Sequence, residues 1–301
     1  MTEQSQKGKD QQTKPRRTKE VVRHVHLERT RPKLSSYDEQ DNARKAKKAQ
    51  TRRSRAQSAS RGKKASASPA RRDSRAKLRI IPLGGLDAIG KNMTAFECGN
   101  DMVLDDAGLM FPDDNHPGID LILPDYSYVL ENAEKLRGII ITHGHEDHTG
   151  ALPYLLKDLD RKVPIYATKL TLGLIEGKLA EHKIKNAKLC EIKPGQSIKL
   201  GSITAEFFSV NHSIPDAVGV FFQSPAGNVL HTGDFKLDQS PIDGVHTDFG
   251  ALARFSKIGV DVMMSDSTNA SNPNFTPSEA EVGKALDTII SQATGRVIVA
   301  S

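Results

Sequence analysis

Apolar and polar residues follow two different patterns along this chain of 301 residues. From residue 78 onward, short apolar runs alternate with turns rich in glycine, proline, asparagine and aspartate, a pattern typical of strands joined by tight connections. Before residue 78 there is no such pattern. The strands predicted in this way are 78–83, 93–98, 102–105, 138–142, 203–210, 218–223, 229–231, 260–264 and 296–300.

Helical spacing of apolar residues separates several of these strands. It predicts a helix that ends near 130–136, a helix over 149–156, an amphipathic helix over 171–182, and a helix that starts at Ser278 with a capping pattern. Strands come first, then strand–helix units, then strands, then a last strand–helix unit. This order predicts an α/β fold in which two mixed sheets pack face to face with helices outside, a four-layer αββα sandwich.

Charge separates the chain at the same place. Residues 1–77 hold 24 lysines and arginines against 8 acidic residues, a net charge of +16, whereas the rest of the chain has a net charge of −10. Because apolar side chains are scarce there, residues 1–77 are predicted to be a disordered basic extension. We expect its basic clusters to bind nucleic-acid phosphates in a salt-dependent way; the alternative is a tail that serves solubility alone. These clusters contain Arg52, Arg53, Arg55, Lys63 and Lys64.

Composition also excludes some classes of protein. No apolar run approaches the roughly 20 residues that a membrane-spanning helix needs, and no signal-peptide core follows the first residues, so no membrane association is expected. The two cysteines, Cys98 and Cys190, have no metal-type spacing and predict no disulfide framework. These features indicate a reducing, cytoplasmic setting.

The densest candidate chemistry lies in the six residues from His143 to His148, between a predicted strand and a predicted helix. Three imidazoles and a carboxylate occur there, and these are ligand types that suit zinc. A polar turn with helix-capping histidines is the alternative, but it does not account for so many ligands in so short a segment. The motif predicts a metal site.

Two later loops supply further ligands, since His212 and Asp234 both follow predicted strands. We expect two metal ions about 3.5–4 Å apart, with a hydroxide shared between them. Asp234 would bridge them, and the second ion would be one protein ligand short, a place that water or a histidine beyond Ser301 could fill. The predicted ligands are His143, His145 and His212 for the first ion, and Asp147 and His148 for the second.

Other candidate positions are less specific. Asp106 is expected to accept a hydrogen bond from a ligating histidine and fix its tautomer, the alternative being an aspartate in a tight turn. The oxygen-rich loop that contains His116 and Gly118 could hold Ca²⁺ partly through main-chain carbonyls, although such a loop is usually only solvated. The glycine-rich loop 84–90 is not predicted to bind phosphate, because no helix follows it closely.

These motifs resemble known families. The segment 142–148 with Asp106, His212 and Asp234 resembles the metallo-β-lactamase superfamily across residues 78–300. Residues 265–269 resemble the first motif of the β-CASP nucleases. Longer strings, at 84–93, 108–112, 168–175 and 211–216, resemble bacterial ribonuclease J. The resemblance implies a metallo-β-lactamase domain at 78–270, followed at 271–301 by the start of a truncated β-CASP domain.

The resemblance also implies a function. The family's activity is that of a zinc-dependent ribonuclease with endonuclease and 5′-to-3′ exonuclease activity in RNA processing and decay. Two Zn²⁺ ions, with Mn²⁺ or Mg²⁺ as alternatives, would provide the hydroxide that attacks phosphorus in line. Asp147 would orient that water or take its proton, and Asp266 would support the site, unless it only caps a loop.

The implied partners are RNA, further copies of the full-length chain in a homodimer or homotetramer, and RNA-degradation or ribosome-associated proteins. Two alternatives remain open from the residues themselves. One is a hydrolase of small esters or thioesters with the same fold. The other is an inactive fragment that only binds RNA.

Overall fold

The computed structural model of the chain describes residues 76–299. Apart from its last two residues, the predicted basic extension lies outside this range. The expected phosphate-binding residues Arg52, Arg53, Arg55, Lys63 and Lys64 therefore lie outside the described residues.

The described part contains two mixed sheets. The first has the order β1-β2-β3-β4-β5-β6, in which β1, β2 and β3 are antiparallel and β3 to β6 run parallel. The second has the order β11-β10-β9-β8-β7, with only β11 parallel to its neighbour. The strands are β1 Leu78–Gly84, β2 Met93–Cys98, β3 Asp101–Asp105, β4 Leu136–Ile140, β5 Pro164–Ala167, β6 Lys188–Glu191, β7 Ser197–Leu200, β8 Ile203–Ser209, β9 Val218–Gln223, β10 Asn228–His231 and β11 Val262–Met264.

Helices pack on the outer faces of both sheets, although the helix nearest the end of the described residues has no buried residue. They are α1 Ser127–Glu131, α2 Glu146–Thr149, α3 Leu152–Asp158, α4 Lys169–Glu181, α5 Phe249–Ile258 and α6 Glu279–Gln292, with a 3₁₀ turn at Ala133–Lys135. No helix among the described residues is both long enough and apolar enough to cross a membrane.

Alternation of side chains along the strands produces the four layers. In β4, Ile139 packs outward on the helices of the first sheet and Ile140 packs inward against the second sheet. In β8, Phe207 is in the core between the sheets, whereas Phe208 packs outward on Phe255 of α5. A strand that is buried on both faces has a continuous apolar run, so its sequence does not reveal which side chains face inward and which face outward. The predicted αββα sandwich is confirmed.

The strand directions gather several loops at one edge. Because β3 and β4 are parallel, their carboxyl ends lie at the same edge of the first sheet. In the second sheet β8, β10 and β11 share a direction, since β9 is antiparallel to both β8 and β10. His231 at the end of β10 meets Asp105 at the end of β3, with Nδ1 and Oδ2 2.6 Å apart. The loops that carry the predicted ligands therefore converge.

Some predicted elements are wrong. Residues 296–299 form no strand, because a strand needs a hydrogen-bonded neighbour and none of the described strands pairs with them. The predicted helix end at 130–136 is instead α1, a 3₁₀ turn and the first residue of β4. Strands β5, β6 and β7 and helix α5 were not predicted. The boundary near 270 stays a prediction.

Candidate metal centre

The motif from His143 to His148 forms a loop that is held by the backbone of its neighbours. The amide of Ala107 donates to the carbonyl of His148 at 2.9 Å, and the amide of Asn92 donates to that of Asp147 at 3.0 Å. A Cβ atom at Gly108 would lie 1.5 Å from the carbonyl oxygen of Asp147, so this close approach requires glycine. The loop and the turn after β3 therefore form one packed unit.

Three histidine rings form the first cluster of candidate ligands. Nδ1 of His145 lies 3.1 Å from Nε2 of His143 and 3.1 Å from Nε2 of His212. A metal-ligand atom from each of these residues lies within 4.8 Å of the others. Ring nitrogens that converge in this way suit a shared cation, and this is the set of ligands predicted for the first ion.

A second cluster adjoins the first and includes His143, His148 and Asp234, whose donor atoms also lie within 4.8 Å of one another. Oδ1 of Asp234 is 3.3 Å from Nε2 of His148, and its Oδ2 is 3.7 Å from Nε2 of His212. The carboxylate thus offers one oxygen to each side, the arrangement that a bridging ligand needs. Oδ2 of Asp147 lies 3.5 Å from Nε2 of His148, outside both groups of three.

Asp106 lies beneath the second cluster, fully buried. Its Oδ2 is 2.7 Å from Nδ1 of His148, and its Oδ1 accepts a hydrogen bond from the backbone amide of Thr142 at 2.8 Å. The residue has a left-handed backbone, with φ of 61°, which turns the chain out of β3. With Nδ1 of His148 facing Asp106, Nε2 is the nitrogen that faces the other candidate ligands, as the prediction for Asp106 requires.

Burial and neighbouring charges shift the pKa values of the histidines in opposite directions. Burial, with the nearby His148, lowers the pKa of His143 far below its ordinary value. Burial likewise lowers the pKa of His212. Burial opposes protonation of His148 as well, but Asp106 and Asp234 outweigh it and raise the pKa of His148 well above its ordinary value. Burial would raise the pKa of Asp234, yet His148 and His212 hold it below the usual value.

Two other predicted positions lie near this edge or in an exposed loop. Oδ1 of Asp266 accepts from the amide of Thr268 at 2.7 Å, and its charge also acts on His212. The loop at His116 and Gly118 is exposed, and the carboxylate of Asp113 there bonds Nδ1 of His116 at 2.7 Å. No ligand arrangement for Ca²⁺ stands out in that loop, and the calcium site stays a prediction.

Sequence reasoning missed three residues of the site. The side chain of Asn92, two residues after the glycine-rich loop 84–90, contacts Asp147 and His148, although no role was predicted for it. Oγ1 of Thr142 donates to Asp106 at 2.9 Å. His231, which follows an ordinary strand pattern, pairs with the buried Asp105. A lone asparagine in a loop gives no signal in a sequence, whereas the neighbouring aspartates at the end of β3 could have drawn attention to Asp105.

A cavity of about 190 Å³ opens beside the first cluster. His212 lines it together with apolar side chains such as Ile214, Ile242 and Val245, and with Lys236. Asp147, Asp234 and His212 each keep part of their side chain exposed. These three candidate ligands are therefore accessible from solvent, whereas His143 and His148 are buried.

The donor set fits divalent metal ions. Imidazole nitrogens and carboxylate oxygens on two adjacent clusters, without a thiolate, suit Zn²⁺ and are compatible with Mn²⁺. Both cysteines are free; Cys98 is buried and Cys190 lies in β6. The rings of His143, His145 and His212 lie edge to face, with centroids 4.7–4.8 Å from one another.

Comparison with known proteins places the chain in a family. Residues 116–297 match the family described as the beta-lactamase superfamily domain. The chain belongs to the β-lactamase superfamily. Within this superfamily it is homologous to proteins named ribonuclease J. It is 47% identical over 224 residues to that of Corynebacterium glutamicum, which covers 74% of this chain and 31% of the relative. It is 45% identical over 228 residues to the ribonuclease J of Thermus thermophilus, a match that covers 74% of this chain and 40% of the relative.

This member of the β-lactamase superfamily thus spans well under half the length of the curated relatives that it matches. A solved protein of unknown function from Enterococcus faecalis V583 shares the fold, with a TM-score of 0.53 and 17% identity over 71% of this chain and 58% of that protein.

Proposed function

We propose that this protein is a metal-dependent ribonuclease that hydrolyses RNA phosphodiesters in the cytoplasm. One observation carries the proposal. In a chain 47% identical to a ribonuclease J, two groups of candidate ligands meet at one accessible sheet edge, with Asp234 between them. Endonuclease and 5′-to-3′ exonuclease activity, assembly into a homodimer or homotetramer, and partners in RNA decay belong to the same proposal.

The ligands divide between two metal positions. His143, His145 and His212 would hold one ion, His148 and Asp147 the other, and Asp234 would contact both. When bound, two such ions lower the pKa of water and polarise the phosphate that is to be cleaved.

The chain's own residues prepare this chemistry. Asp106 holds the ring of His148 through Nδ1, so that Nε2 keeps its lone pair for a metal. The carboxylate of Asp147, one-third exposed, can orient a water molecule or take its proton. Asp266 adds a negative charge that acts on His212 from the end of β11.

Cleavage of 5′-end-labelled RNA tests the proposal. The chain and its His145→Ala variant are assayed with Zn²⁺ or Mn²⁺, beside the same chain extended past Ser301. We expect metal-dependent cleavage that His145→Ala abolishes, because that ring contacts both other histidines of the first cluster. His182→Ala is the matched control, since His182 contacts Lys157 and Tyr154 and none of the candidate ligands.

Small esters and thioesters are assayed in parallel. If both forms of the protein leave RNA intact and hydrolyse the small substrates, the ribonuclease proposal is wrong. Cleavage that survives in His145→Ala would contradict the assignment of the metal centre.

The basic extension has a separate role in the proposal. We infer that Arg52, Arg53, Arg55, Lys63 and Lys64 bind RNA phosphates. Replacing all five by glutamine is expected to weaken RNA binding at low salt and to reduce the salt dependence, by about 0.7 in the logarithmic slope for each single-strand phosphate that is no longer neutralised. Fluorescence anisotropy across a salt series measures both. An unchanged slope would contradict the inference.

A further inference from the structure

The glycine-rich loop between β1 and β2 reaches the candidate metal centre through Asn92. The amide of Asn92 donates to the carbonyl of Asp147 at 3.0 Å, and the carbonyl of Asn92 accepts from the amide of Gly108 at 2.9 Å. Asn92 is therefore fixed to the metal-binding loop on one side and to the turn after β3 on the other.

Gly85 leaves room for the side chain of Asn92. A Cβ atom at Gly85 would lie 2.5 Å from Oδ1 of Asn92, and Gly85 has a φ of +82° that favours glycine. The carboxamide oxygen thus packs against the loop, which leaves the nitrogen on the side of the metal centre.

The nitrogen of Asn92 meets two candidate ligands of one metal position. Nδ2 lies 3.3 Å from Oδ2 of Asp147 and 3.0 Å from Nε2 of His148. The other ring nitrogen of His148 faces Asp106, so Nε2 is its metal-facing atom. Among the candidate ligands of the first cluster, none has a hydrogen bond to Asn92.

A neutral donor suits this place. Lysine would put a positive charge beside the incoming cation, and an apolar side chain would leave the carboxylate of Asp147 free to turn away. A carboxamide holds that carboxylate by a hydrogen bond and leaves its charge for the metal.

We propose that Asn92 is a positioning residue of the second metal position, and that the glycine-rich loop is part of the metal centre. This inference rests on the proposed two-metal function. Asn92 acts through the carboxylate of Asp147, and has no role at the cluster of His143, His145 and His212.

Stepwise metal binding tests the inference without relying on catalysis. Zn²⁺ is titrated into the metal-free chain in competition with a chromophoric chelator, and Co²⁺ absorption reports the ligands of each equivalent. Asn92→Leu keeps the size of the side chain and removes the donor. It is expected to weaken the second equivalent by about 10–100-fold and to leave the first unchanged.

Two further variants separate positioning from folding. Asn92→Asp replaces the donor with a carboxylate that can itself bind the ion, so the second equivalent should bind at least as tightly as in the unaltered chain, with a changed Co²⁺ spectrum. Met93→Leu is the matched control, because Met93 is the next residue and packs in the core. It is expected to leave both equivalents unchanged.

The outcomes are distinct. If Asn92→Leu changes neither equivalent, or weakens both in parallel, Asn92 does not position the second metal and the inference is wrong. If the unaltered chain binds fewer than two equivalents, the proposed two-metal centre fails, and this inference fails with it.

Discussion

Strand β3 carries aspartates at both ends, and the two ends use them differently. At the first end, Oδ1 of Asp101 accepts from Nε of Arg137 at 2.5 Å and Oδ2 accepts from the amide of Ser202 at 2.7 Å. At the other end, Asp106 faces Nδ1 of His148 at 2.7 Å. One carboxylate is paired with a permanently charged guanidinium, the other with an imidazole that can lose its proton.

Both ends also join the two sheets. Ser202 lies in the turn between β7 and β8, so Asp101 links the first sheet to the second. Asp105 makes a corresponding link to His231 of β10, and Asp105 raises the pKa of that histidine although burial lowers it. The two sheets are therefore linked through the backbone of Ser202 at one end of β3 and through the side chain of His231 at the other. Of the two ends of β3, only the one at Asp105 and Asp106 faces groups that can exchange protons for metal ions.

Asp106→Asn is expected to have the largest effect. The amide nitrogen of asparagine would donate to Nδ1 of His148, which would move the ring proton to Nε2, the nitrogen that faces the metal position. Metal affinity at that position and RNA cleavage should both fall by about 10–100-fold. Zinc titration and a cleavage assay measure the two effects.

The fold should survive this substitution, since asparagine tolerates the left-handed backbone of position 106. A variant that unfolds, or that binds metal normally, would break the comparison, because Asp106 would then resemble Asp101 in being purely structural.

Asp101→Ala is expected to act on stability alone. It removes the acceptor of Nε of Arg137 and of the amide of Ser202, which should lower the free energy of unfolding by about 1–3 kcal/mol. Urea unfolding measures the loss. Zinc affinity should not change, and a change would show that the two ends of β3 are coupled.

The pH dependence of the Asp101 pair gives the smallest effect. Burial would raise the pKa of Asp101, but Arg137 and Ser202 together hold it below its usual value. Its stabilising contribution is therefore present above the unfolded pKa and is lost as the pH falls through the lower folded pKa. The difference in unfolding free energy between the chain and Asp101→Asn should stay constant from pH 8 to about 5 and shrink below about 4. If this difference in unfolding free energy already shrinks near pH 6, the titration of histidines and not of Asp101 would be its cause.

The sequence was sufficient to predict which side chains gather at the candidate metal centre. His143 to His148 follow a buried strand, and His212 and Asp234 follow two others, so alternation and ligand type locate all of them. The layered fold could be predicted from the order of elements in the same way.

Contacts between distant segments could not be predicted. Asn92 and Asp147 are 55 positions apart, and Asp101 and Ser202 are 101 apart, and no local pattern records either approach. The strand expected at 296–300 failed for a related reason. Its apolar residues have strand propensity, but propensity does not supply the neighbouring strand that pairing requires.

The backbone hydrogen bonds of the loop 143–148 bear on how a metal ion would bind and dissociate. Ala107 bonds both the carbonyl of His148 and the amide of Ala151, and the amide of Leu109 bonds the carbonyl of Glu146. Because these bonds join backbone groups and use no candidate ligand atom, little of an ion's binding energy would go into ordering the chain. At the proposed metal centre one divalent cation would then replace another without a refolding step, and the supply of each metal, together with the chemistry of the donors, would determine which one is bound.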